Sequence, residues 1–261
     1  MGSIKNAIAQ KGYAVGSISH TRSLTGIEAL GVTGLDYIVC DMEHSPQTCA
    51  EVTGYITAAH SCNKDVLVRV PGVTRAEVLH VLDVGADGVI IPCINDISEV
   101  EELIEYAKFA PLGGRGYCMS RDGDWGFGQM YCEKGLPGYM EYVNKNTILM
   151  PQCETVGCLE QIEKITALEG VDGIMVGPFD LSISMGIPGQ FENPEFKDAL
   201  QHIADACNKN GKLPLIFSNS LDTLAMNYKQ GYKALLYTLD VMRLINAYKA
   251  DLEYLAKGTK A

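Results

Sequence analysis

Several short apolar runs in this chain end in polar residues that can do chemistry. DYIVCDMEH ends in Asp41, Glu43 and His44, and DVLVRV carries Arg69. TILMPQCE ends in Gln152, Cys153 and Glu154, and GIMVGP leads into Gly177, Pro178, Phe179 and Asp180. Residues two apart on a strand share a face, so Gln152 points with Glu154 and Asp41 with Glu43. Glu154 and Asp180 would supply two oxygen ligands, the usual protein share for Mg²⁺ or Mn²⁺, with the other positions open to water and substrate. A histidine suits proton transfer near neutrality. Each residue also has a plain structural reading. Asp180 and Glu154 could be helix N-caps, His44 before Ser45-Pro46 could hold a turn, and Arg69 could be an ordinary ion-pair partner. What argues for chemistry is that all of them meet at the same kind of place, the end of a strand.

The elements that must position them alternate regularly. Strands are expected at 14–19, 36–42, 65–70, 88–93, 147–154, 173–178, 213–217 and 233–239. Amphipathic helices are expected between them, among them 74–84, 97–108, 195–209 and 241–256. Helix 74–84 starts on a Thr cap, and helix 97–108 follows Asp96 with Glu early and Lys late. Strand and helix repeated in this way give a parallel sheet with crossover helices. With 261 residues, a closed (β/α)8 TIM barrel in one domain is favoured over an open doubly wound sheet, which the periodicity alone also allows. Barrel chemistry gathers where strands end, and that is where the polar residues sit. The stretch 110–146 breaks the rhythm. It holds eight glycines with Tyr117, Trp125, Phe127, Tyr131, Tyr139 and Tyr142 interspersed, and reads either as a functional or interface segment or as an excursion packed on its own aromatics.

Composition narrows the function. The net charge of −11 offers no footprint for nucleic acid or an anionic membrane. No apolar run is long enough to span a bilayer, and the first residues lack a signal peptide's apolar stretch. Nine cysteines without a Cys-x-x-Cys pair suit reduced thiols and a cytoplasmic location. Cys40, Cys93 and Cys153 are expected as small core residues, while Cys118 and Cys132 fall in the irregular stretch. His20 follows the first strand and could reach the mouth; His60, at a helix end, reads as structural. Neither a Gly-x-Gly-x-x-Gly after a strand nor a Walker Gly-Lys-Ser/Thr appears.

The strand-end motifs resemble those of the HpcH/HpaI aldolase family. DYIVCDMEHSPQ resembles the segment around that family's base, and VLVRVPG its Val-Arg-x-Pro segment. LDVGADGVIIPCIND, FAPLGGRGY, PQCET and EGVDGIMVGPFDLSISMG follow in the family's order, from about Gly16 to Asp240. The resemblance implies a metal-dependent class II aldolase. Such an enzyme cleaves or forms 4-hydroxy-2-keto acids from pyruvate and an aldehyde through a metal-stabilised pyruvate enolate, with Mg²⁺, Mn²⁺ or Co²⁺ as cofactor. It makes Glu154 and Asp180 the metal ligands, His44 the catalytic histidine and Arg69 the contact to the keto oxygen. Gln152 falls in the substrate pocket, and the backbone of Gly177, Pro178 and Phe179 cradles the pyruvate carboxylate. Asp41 and Glu43 lie near metal-bound water. Asp83 matches an aspartate that reaches a neighbouring subunit's histidine, so the resemblance implies a site shared within a homo-hexamer. The C-terminal helix is expected to be open to exchange with a neighbouring subunit. The chain departs from the family pattern at Met42, where glycine is usual, at Gly72, where Trp is common, at Ile18, where some members carry Trp, and over 117–132. These positions surround the expected aldehyde pocket rather than the metal. Lys64 and Lys212 precede strands, which argues against a Schiff-base aldolase. Two other readings keep the same pocket: an oxaloacetate decarboxylase using the same enolate, and a non-catalytic barrel that only binds a 2-keto acid.

Overall fold

Eight parallel strands close on one another in chain order, β1 through β8 and back to β1. They run over Ala14–Ser19 (β1), Tyr37–Asp41 (β2), Asp65–Arg69 (β3), Gly88–Ile91 (β4), Ile148–Cys153 (β5), Gly173–Val176 (β6), Leu213–Ser218 (β7) and Ala234–Leu239 (β8). A computed structural model describes residues 3–258. The open doubly wound sheet is thereby excluded.

β-branched and aliphatic runs make these strands because both of their faces are buried. One face fills the barrel with Tyr37, Val39, Leu67, Ile90, Met150, Met175, Leu215 and Leu236. The other packs against the helices through Ile38, Val66, Val68, Val89, Leu149, Ile174 and Ile216. The floor is closed by Ile4 and Ala7 of the helix Ser3–Lys11. Tyr37 fits inside because residue 16 of the adjoining strand is glycine: a Cβ there would stand 2.3 Å from the Tyr37 ring.

The expected helices are present. Thr74 caps Arg75–Asp83, and Asp96 caps Ile97–Ala107 in a reciprocal arrangement with Glu99. The irregular stretch after Ala107 contains a short 3-10 turn, Arg121–Gly126, and a helix, Gln129–Asn146, broken at Gly135. Phe109, Tyr117, Tyr131 and Tyr139 form an aromatic cluster of their own beneath it. The buried Lys108 ammonium fastens the segment to the barrel, donating to Asn144 O (3.0 Å), Thr147 O (2.7 Å) and Asp172 Oδ2 (2.7 Å). Part of the stretch therefore packs on its own aromatics, while Trp125, Phe127 and Tyr142 stay exposed.

Candidate active site at the barrel mouth

The register of β2 and β3 sets Asp41 level with Arg69. Both side chains are buried, and Asp41 accepts from Arg69 Nε at 2.9 Å and Nη2 at 2.8 Å. His20 Nε2 donates to the same carboxylate at 2.7 Å, which fixes its tautomer because a carboxylate only accepts. The backbone N–H groups of Glu43 (3.1 Å) and His44 (3.3 Å) complete the shell. Burial alone would raise the Asp41 pKa; the hydrogen bonds from His20 and Arg69 outweigh it and hold the carboxyl well below the usual range. Asp41 thus organises a histidine, an arginine and the turn that carries His44. The His44 ring is exposed, with Nε2 3.6 Å from Glu43 Oε2.

Glu43 reaches Arg69 Nη1 at 3.1 Å. Across the mouth, Glu154 is 4% exposed, accepts from the Cys93 N–H at 2.6 Å and takes a short hydrogen bond from Gln152 Nε2. Burial, then nearby Asp180, raises the Glu154 pKa against those bonds. Burial likewise raises that of Glu43, although Arg69 and His44 oppose it. The capping readings of the two carboxylates fail. The cap after β5 is Thr155, whose hydroxyl accepts from Cys158 N–H, and the helix Pro178–Ser184 is capped at Gly177 with Asp180 inside its first turn.

A cavity of about 260 Å³ opens between these groups. Its polar wall is His20, His44, Arg69, Gln152 and Asp180, with Gly177 and Pro178 beside them; its apolar wall is Ile18, Met175, Phe179, Phe217 and Leu239. Among the described residues no lysine lines it. Lys212 is spent on the carbonyls of Leu168 and Val171 at the opposite end of the barrel.

The donor set suits a divalent cation. Asp41, Glu43, Glu154 and Asp180 face one guanidinium, a surplus of negative charge in a half-buried site. Gly177 leaves the approach clear: a Cβ there would lie 2.6 Å from Glu154 Oε2 and 2.7 Å from Gln152 Nε2. Gln152, 1% exposed, keeps its Oε1 without a partner.

Two expectations change. Cys93 is not a core residue. Pro92 follows the end of β4, and Cys93 turns through φ +56° into an exposed position where its thiol and the Glu43 and Glu154 carboxylates lie within 4.8 Å of one another. Burial, then Glu154, pushes that thiol pKa up to about 11. Met42 does not fill the pocket. It alternates with inward-facing Asp41 and packs against the outer core, whereas Ile18 does line the cavity. Asp83 closes the helix Arg75–Asp83 and pairs with buried Arg115 at 2.8 Å. Of the remaining sequence candidates, Gln152, Glu154, Gly177, Pro178, Phe179 and Asp180 all meet at the mouth. His20 and Asp240 were the under-read residues. Asp240 accepts the backbone N–H of His20 (2.8 Å) and the Thr21 hydroxyl (2.7 Å), anchoring the loop that presents His20.

Comparison with known proteins agrees with this fold. Residues 19–247 match the family model described as HpcH/HpaI aldolase/citrate lyase. A 5-keto-4-deoxy-D-glucarate aldolase from Enterobacter sp. (strain 638) is 31% identical over 208 residues, 80% of this chain and 78% of that protein. The crystal structure of an HpcH/HpaI aldolase from Desulfitobacterium hafniense DCB-2 superposes with a TM-score of 0.84 at 27% identity, covering 97% of this chain and 96% of the other. That of macrophomate synthase gives 0.83 at 26% identity, covering 98% and 90%.

Proposed function

The chain belongs to the HpcH/HpaI aldolase/citrate lyase family of carbon–carbon lyases, and from that premise we propose that its barrel mouth cleaves and forms 4-hydroxy-2-keto acids with pyruvate as the keto partner. The observation that carries the proposal is the facing pair of clusters, Asp41–Arg69–His20 on one side and Glu154–Gln152 with Asp180 on the other, across a cavity of about 260 Å³. That volume suits a small keto acid with a short aldehyde.

Glu154 and Asp180 would hold the divalent ion, Mg²⁺, Mn²⁺ or Co²⁺. When bound, it supplies Lewis-acid polarisation of the keto oxygen. Arg69 supplies the second source of charge stabilisation. Asp41 takes two of its five N–H groups and Glu43 lies 3.1 Å from Nη1, which leaves N–H groups for an oxygen in the cavity. Because its buried partner Asp41 is fixed opposite it by the strand register, the donor is aimed before substrate arrives, which is where an oxyanion donor gains its strength. In cleavage the C4 hydroxyl must lose its proton as the C3–C4 bond breaks. His44, exposed at the rim and tethered through its backbone to Asp41, takes that proton directly or through one water. In the reverse direction it returns the proton to the new hydroxyl. Gln152 positions the substrate, the backbone of Gly177, Pro178 and Phe179 cradles its carboxylate, and Asp41 and Glu43 set the charge around them.

Oligomerisation completes the site. The helix Asp240–Gly258 leaves Met242, Leu244, Ile245, Tyr248, Leu252 and Tyr254 exposed, an apolar stripe that a monomer would not leave in water. We assign it to the interface of a homo-oligomer, with a hexamer as the expected state. Asp83, backed by buried Arg115, then faces a neighbouring protomer's His44. No helix among the described residues is long and apolar enough to cross a membrane, and a cytoplasmic location fits the free thiols.

The test is pyruvate release from 4-hydroxy-2-keto acids, 5-keto-4-deoxy-D-glucarate among them, by the purified chain with Mn²⁺. Turnover that disappears in His44→Ala while ion binding persists supports the reading. Pyruvate formed from oxaloacetate alone would make the chain a decarboxylase, and binding without turnover would make it a sensor.

A further inference from the structure

Cys93 stands where a sulfur atom changes what the site can hold. The chain leaves β4 at Ile91, and Pro92 ends its ladder. Cys93 then adopts φ +56°, a conformation that costs a non-glycine residue about 1 kcal/mol or more. That turn does two things at once. It sends the Cys93 N–H to Glu154 Oε1 at 2.6 Å, and it swings the thiol out of the core and into the mouth. The Cys93 sulfur and one carboxylate oxygen each from Glu43 and Glu154 lie within 4.8 Å of one another. Two donors on opposite sides of one ion stand at most about 4.5 Å apart, the sum of a metal–sulfur and a metal–oxygen bond. Three donors around one ion stand closer than that, about 3.5 Å apart, so side-chain rotations of about an ångström bring the three groups into one coordination sphere. A second observation points to an occupant at the same place: Gln152, almost fully buried and hydrogen-bonded to Glu154, keeps its Oε1 unpartnered, ready for a donor such as an ion-bound water.

We propose that Cys93 supplies a sulfur ligand to the divalent ion that Glu154 holds, so that this site favours thiophilic ions such as Co²⁺, Zn²⁺ or Cd²⁺ over Mg²⁺. The inference rests on the metal reading above and deepens it. On binding, the S–H bond of Cys93 is broken and its proton passes to solvent, while the sulfur lone pair forms the bond to the ion; no oxidation is involved. A purely oxygen-lined site would prefer hard ions, whereas a thiolate shifts selectivity toward soft ones. The rest of the ion's sphere stays open to a keto acid.

The experiment is Co²⁺ titration of the metal-stripped full-length protein, followed by electronic absorption with calorimetry in parallel. Visible d–d bands and heat report that the ion binds at all; a near-ultraviolet sulfur-to-cobalt charge-transfer band reports sulfur in its sphere. Wild type is expected to show both. Cys93→Ser is expected to bind Co²⁺ and lose the charge-transfer band, with a lower ratio of Cd²⁺ to Mg²⁺ affinity. Circular dichroism confirms that the variant is folded, and Cys93→Ala gives a second variant should Ser perturb the loop. Bound Co²⁺ without the band in wild type would overturn the sulfur ligand and leave the metal reading standing. A band that persists in both variants would place the sulfur on another cysteine and overturn it equally. Absence of any Co²⁺ binding would sink the metal reading itself, and this inference with it.

Discussion

Asp41 and Arg69 pair through two hydrogen bonds, 2.9 Å to Nε and 2.8 Å to Nη2, at matched positions of neighbouring strands. Both side chains are buried, so neither can relax into water if the other is lost. Replacing Asp41 by Ala strands a buried guanidinium, and breaking such a pair costs about 3–5 kcal/mol. Asp41→Ala is therefore expected to lower the melting temperature by several degrees and to release His20, which leans on the same carboxylate. Thermal unfolding by circular dichroism checks this, and a melting curve like that of wild type would show the pair to be energetically idle.

Arg69→Lys keeps a charge but loses the planar fork. The account expects kcat to fall by about 10²–10³, the usual loss for one donor to a developing oxyanion, with KM for the keto acid changed less. Steady-state kinetics separates the two, and a change confined to KM would move Arg69 from charge stabilisation to simple binding.

Gly177→Ala introduces a Cβ at 2.6 Å from Glu154 Oε2. The fold has room to survive this, because the clash falls on side chains at the rim. Ion affinity and turnover are expected to drop together, measured by calorimetry and pyruvate release. An alanine variant with unchanged ion affinity would mean that Glu154 is not a ligand.

The pH dependence has two opposed parts. Asp41 has a depressed pKa, so its contribution to stability is present above the unfolded value of about 3.9 and is lost as pH falls toward the folded value. Glu43 and Glu154 have raised values. Their contribution is full below about 4.3 and is lost as pH rises through their folded values. Rising pH thus works against these crowded carboxylates in the metal-free protein, and a cation offsets it. Mn²⁺ is expected to raise the melting temperature more at pH 7.5 than at pH 5, which calorimetry at both values reads directly. An equal gain at the two values would detach the ion from these carboxylates.

Much of this was legible in the sequence for identifiable reasons. Barrel strands are buried on both faces and read as unbroken runs such as YIVCD and DVLVR, and parity told which of their last residues turn inward. Parity also gives the physical reason that Met42 misses the pocket, since it alternates with Asp41. Cys93 was hidden because IIPC reads as a continuing strand, and only the backbone turn after Pro92 reveals that its side chain leaves the core. His20 could be placed near the mouth from its position after the first strand, but its pairing could not, because Asp41 lies 21 residues away and is met only across β1 and β2. Asp83 was expected to meet a neighbouring protomer, a contact that lies outside one chain.

The most direct measurement is cleavage of a 4-hydroxy-2-keto acid by enzyme stripped with EDTA, before and after addition of Mn²⁺, Co²⁺ or Mg²⁺. Pyruvate release that vanishes on stripping and returns with the ion is the predicted result. Undiminished release from a preparation proven free of metal would contradict it.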